Sequence, residues 1–94
     1  MALFSERDNG LKRGILLKIE IVFGKVLKSL RAEKRVSQEE IAFRANLDRS
    51  YVSMLERGIH QPTLSSLIAL SGALNMKPSE LLKIFEAELE KIED

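Results

Sequence analysis

The stretch from Ser37 to Gly58 constrains this chain more tightly than any other part of it. Ser37-Gln38-Glu39-Glu40 has the form of a capping box. The Ser37 hydroxyl can accept from the backbone N–H of Glu40, and the Glu40 side chain can reach back to the N–H of Ser37. A short helix over about 38–44 follows, with Ile41 and Ala42 on its inner side. Ala45-Asn46-Leu47-Asp48 interrupts it. Asparagine tolerates the left-handed backbone conformation, so Asn46 can carry a tight turn. Asp48 is then placed to cap a second helix over about 49–57, and Gly58 to stop it.

The flanking segments are helical as well. Phe23, Val26, Leu27 and Leu30 recur at spacings of three and four, which predicts an amphipathic helix ending near Lys34. Its start is open between Leu11 and Val22, because Leu17-Lys18-Ile19-Glu20-Ile21 also alternates as a strand would. Downstream, Thr63 caps a helix carrying Leu64, Leu67, Ile68, Leu70 and Leu74, and Pro78 opens a last helix to about Ile92. Five helices with short connections make the expected fold class all-α. The expected organisation is an extension over residues 1–20, as an arm or an extra helix or strand, followed by a domain over 21–94.

Composition excludes several kinds of chemistry. The 94 residues contain no cysteine and one histidine, so neither a disulfide framework nor a metal-ligand cluster is expected. There is no Gly-rich phosphate loop and no Ser/His/Asp or Cys/His grouping, so no enzyme and no cofactor is expected. The first ten residues lack the apolar core of a secretory signal, and no run approaches the roughly 20 apolar residues of a membrane span. A soluble, cytoplasmic protein is the expectation.

The net charge of +1 hides an asymmetry. Lys12 to Arg57 holds eleven basic and six acidic residues, whereas Pro78 to Asp94 holds two basic and six acidic. A basic body with an acidic tail suits a polyanionic partner met by the body alone. The two helices around Asn46 show how. Ala42 is small at their point of closest approach, and Ile41, Leu47, Val52 and Leu55 are spaced to seat both on a core. This is a helix-turn-helix, whose second helix presents its amino-terminal residues to the DNA major groove. Arg49, Ser50, Tyr51 and Ser53 there are polar and long enough for base edges, and Met54 can reach a thymine methyl.

Gln38-Glu39-Glu40-Ile41-Ala42 together with Leu47-Asp48-Arg49-Ser50-Tyr51-Val52-Ser53-Met54-Leu55-Glu56-Arg57-Gly58 resembles the XRE family, which contains the phage Cro and repressor proteins. The likeness runs from about Phe23 to Leu82 and is greatest toward the controller proteins of restriction–modification systems. It implies a compact five-helix, lambda-repressor-like domain that binds double-stranded DNA as a symmetric dimer and regulates transcription. It further implies that Arg49 and Ser50 are the main base readers, with Tyr51 and Met54 secondary. Gln38 would contact phosphate, and Arg44, Arg57, His60 and Gln61 would flank the backbone. Arg31 and Glu56 match positions that form an ion pair across the core. Asn46 stands where the family more often has glycine.

Leu82, Phe85, Leu89 and Ile92 form a seam on the last helix. Leu82 and Phe85 could be covered by the domain itself, whereas Leu89 and Ile92 lie so near the end that a partner subunit is the expected cover. A homodimer would place two recognition helices about 34 Å apart, on an inverted repeat. The alternative reading is an antitoxin-like interaction module that also binds DNA, using residues 1–20 or 80–94 for a protein partner.

Overall fold

The computed structural model describes residues 9–93 as five helices, α1 (Asn9–Glu33), α2 (Gln38–Ala45), α3 (Arg49–Glu56), α4 (Leu64–Ala73) and α5 (Pro78–Glu93). No strand occurs among the described residues, and no helix there is long and apolar enough to cross a membrane. Residues 1–8 of the expected extension lie outside the described residues. From Asn9 the backbone runs as one helix of 25 residues through Leu17–Ile21, so the strand-like alternation there does not form a strand. The reason is visible at its end: Val22, Phe23, Val26, Leu27 and Leu30 are all buried, a helical stripe that only a helix can present to one core.

Four helices end in the same way. Arg35, Asn46 and Asn75 take φ of 57° and Gly58 takes 75°. In each case the next N–H reaches back to a carbonyl five positions upstream, as Leu47 does to Ala42 at 2.9 Å and Met76 to Ser71 at 2.9 Å. The amino ends differ more from expectation. Ser37 Oγ accepts from the Glu40 N–H at 3.0 Å, but the Glu40 carboxylate turns to Arg44 at 2.9 Å instead of returning to Ser37. The capping box is therefore half formed. Thr63 caps α4 through the Ser66 N–H at 3.0 Å, while Asp48, in an extended cap conformation before α3, makes no side-chain cap bond.

Leu27, Ile41, Val52, Leu55, Leu70, Leu74 and Leu81 form the centre of one core to which every helix contributes. α1 lies along α5 and crosses α3, while α2 packs on α3 and α4. Phe23 and Phe85 meet edge to face, centroids 6.1 Å apart. Gly24 marks the α1–α3 crossing. A Cβ there would sit 2.5 Å from the Leu55 carbonyl oxygen and 2.8 Å from that of Glu56, so this approach requires glycine.

The α5 seam divides differently from the expectation. Leu89 is 3% exposed and Phe85 packs on the core, whereas Leu82 is 43% and Ile92 44% exposed. Leu89 is thus covered within the chain, not by a partner. Leu89 joins the same buried cluster as Val22, Phe23, Val26 and Leu27 of α1, which packs along α5.

Candidate nucleic-acid interface

α3 is tied at its carboxyl end by a polar clamp. Arg31 of α1 donates from Nε to Glu56 Oε2 at 2.6 Å and from Nη2 to Oε1 at 2.9 Å, while its Nη1 reaches the Val36 carbonyl at 2.9 Å. Gln38, the first residue of α2, donates its side-chain amide to Glu56 Oε1 at 3.0 Å. One carboxylate thereby ties α1, α2 and α3 together. Burial would raise the Glu56 carboxyl, but the hydrogen bonds from Arg31 and Gln38, with the charges of Arg31 and Lys28, outweigh it and hold the carboxyl below its ordinary value. The hydrogen bond to Glu56 raises the Arg31 guanidinium, with burial opposing.

Along its length α3 turns Val52 and Leu55 into the core and leaves Arg49 and Ser50 exposed at its amino end. By helical spacing Ser53, Met54 and Arg57 share the outward side; Ser53 and Met54 are half-buried and Arg57 is exposed. Tyr51 sits at the flank. Its ring packs on the core, and its hydroxyl lies 3.1 Å from Ser66 Oγ, which itself donates to the Thr63 carbonyl at 3.0 Å. The exposed front is therefore a short helix end, cationic at Arg49 and otherwise small and polar. It can donate bidentately to a guanine edge through Arg49 and make hydroxyl contacts through Ser50.

Residues 27–81 match the family described as Helix-turn-helix. The chain belongs to the XRE-type helix-turn-helix family. It is a DNA-binding transcription regulator, similar to the restriction–modification controller proteins. It is 42% identical over 71 residues to Control protein C.MunI of Mycoplasma sp, covering 74% of this chain and 96% of that one. To the Immunity repressor protein of Bacillus phage phi105 it is 39% identical over 59 residues, which cover 63% of this chain but 41% of the repressor. Among solved structures it resembles the restriction–modification controller protein C.Esp1396I, a tetramer in complex with its natural 35 base-pair operator. The TM-score there is 0.70 at 30% identity, covering 76% of this chain and 93% of that one.

Within this helix-turn-helix, the positions expected to flank phosphate are scattered in role. Gln38 spends one amide N–H on Glu56. Arg44 is bonded to Glu40 at 2.9 Å and to the Ala73 carbonyl at 3.3 Å, so it braces α2 against the end of α4. Arg57 and His60 are exposed beyond α3. Gln61 donates to Glu20 Oε1 on α1 at 3.0 Å. Sequence reasoning missed three contributors: Ser66, which receives Tyr51, Gly24, which admits α3 to α1, and Glu20, which holds Gln61. An isolated glycine inside an apolar helical repeat was a usable signal for Gly24. Ser66 and Glu20 carry none, since both depend on contacts distant in sequence.

Proposed function

We propose that this chain is a sequence-specific regulator that binds double-stranded DNA as a homodimer at an inverted repeat, of the restriction–modification controller kind. Arg49 and Ser50 read base edges in each half-site, and Ser53 and Met54 extend the reading surface. The observation that carries this reading is the exposed amino end of α3, on a helix whose carboxyl end is tied down by Arg31, Gln38 and Glu56. Tyr51 acts here by seating α3 on α4 through Ser66 rather than by reading a base. Gln38, Arg57, His60 and Gln61 meet the sugar–phosphate backbone, which sets affinity and register.

The dimer reading draws support from apolar side chains left exposed. Leu82 and Ile92 on α5 are exposed, and α4, which packs on α5, exposes Leu64 and Ile68. A partner subunit packed on part of this apolar set would set the two recognition helices one helical turn apart. The similar protein C.Esp1396I is a tetramer on its natural 35 base-pair operator, which supports binding of DNA by more than one copy. Selection from a pool of random duplexes tests the reading. Recovery of a pseudo-palindrome supports it, and recovery of an unrelated set of sequences contradicts it.

A further inference from the structure

Glu20 and Gln61 meet at the seam between α1 and the loop that follows the recognition helix. The Gln61 amide donates to Glu20 Oε1 at 3.0 Å, across 41 positions of sequence. One residue along α1, the backbone of Ile21 closes on Gly58, where a Cβ would lie 3.2 Å from the Ile21 Cα. Loop and helix are therefore in close contact at two successive positions. Glu20 lies outside residues 27–81, so one partner of this contact stands outside the family-matched segment.

The pairing places a carboxylate where phosphate donors are needed. Arg57, His60 and Gln61 are all exposed on this loop. A glutamine side chain has one donor group, its NH2, and phosphate offers acceptors alone. A charged acceptor holds an amide more strongly than a neutral one does, and the same charge repels DNA phosphate.

We infer that Glu20 is a restraining residue for DNA binding. It retains the Gln61 amide on α1 and keeps the loop below the phosphate affinity its donors would otherwise supply. Gln61 must leave Glu20, or share its amide with it, when the backbone is engaged. The affinity of this chain for DNA is accordingly set in part from outside the helix-turn-helix. This inference rests on the DNA-binding function proposed above.

The full chain, Glu20→Ala, Gln61→Ala and the double variant are titrated onto a fluorescent mixed-sequence duplex at low salt and followed by anisotropy. Glu90→Gln, on exposed α5, measures the effect of losing one carboxylate elsewhere. Glu20→Ala is expected to tighten binding by roughly 3- to 10-fold, and by more than Glu90→Gln does. Gln61→Ala should weaken binding in both backgrounds, but by clearly more in the Glu20→Ala background, where it should remove most of the gain. Glu20→Gln, which keeps an acceptor without the charge, should fall between the parent and Glu20→Ala. An equal effect of Gln61→Ala in both backgrounds overturns the inference, as does a Glu20→Ala gain no larger than that of Glu90→Gln. A parent chain that binds no duplex in a salt-dependent way overturns the functional reading itself.

Discussion

Arg31 grips both oxygens of Glu56, at 2.6 and 2.9 Å, so the base of the recognition helix is fixed to α1 by a fork rather than by a single contact. Glu56 is nearly enclosed, its side chain 4% exposed against 16% for Arg31. Such a pair orients more than it stabilises, because desolvation offsets much of its Coulomb energy. Removing one partner is another matter, since it leaves a buried charge alone. Glu56→Ala should therefore lower stability by about 3 kcal/mol, the lower end of the range for buried pairs. Arg49→Ala, at an exposed position, should change it by less than about 0.5 kcal/mol. Thermal melts of the two variants check this, and equal melting temperatures would rule it out.

The same carboxyl gives an acid limb to the stability curve. Its value in the folded chain lies below the ordinary one despite burial, through Arg31, Gln38 and Lys28. A carboxyl depressed in this way contributes stability that is complete above the unfolded-state value. That contribution is lost as pH falls through the ordinary carboxylate range toward the folded value. The melting temperature of the parent should drop across that acid range more steeply than that of Glu56→Gln. Parallel curves for the two proteins would exclude a contribution from Glu56.

Gly24 makes a sharper claim than most helical glycines. In an open helix, Gly→Ala stabilises by about 1 kcal/mol through propensity. Here the added methyl would press on the Leu55 and Glu56 carbonyl oxygens and push α1 away from α3. Overpacking of this kind costs about 1–3 kcal/mol, so Gly24→Ala should lower the melting temperature. Gly72, where a Cβ meets nothing within 4 Å, provides the contrast, and Gly72→Ala should be neutral or stabilising. A rise in melting temperature for Gly24→Ala would show that the crossing is looser than described.

Leu89 and Leu82 separate folding from assembly. Leu89→Ala removes a side chain buried within the chain and should cost about 2–5 kcal/mol, read by denaturant unfolding. Leu82→Glu touches an exposed position and should leave the fold intact while shifting the sedimentation profile toward monomer. An unchanged profile for Leu82→Glu would move the subunit contact away from α5.

The central motif was readable from local chemistry. A Ser cap, an Asn that accepts left-handed backbone, a small Ala42 and a stopping Gly58 each act within a few residues, and each adopts its place in the fold. What escaped reading depends on distant partners. Glu40 takes Arg44 in preference to the Ser37 N–H because a full positive charge outcompetes a backbone donor. Leu89 is buried in a core whose other members lie far from it in sequence, and Tyr51 finds a hydroxyl on α4. Arg35 takes a left-handed cap that its sequence gives no reason to expect.

The most direct test of the account is selection of duplexes from a random pool by the parent chain and by Arg49→Ala, followed by binding titrations over a range of salt. The account predicts that the parent recovers an inverted repeat and loses affinity steeply with salt. Arg49→Ala should relax preference at one base pair in each half-site, at a loss of roughly 1–3 kcal/mol. Recovery of the same site with the same preference by Arg49→Ala would contradict the claim that the exposed end of α3 reads DNA.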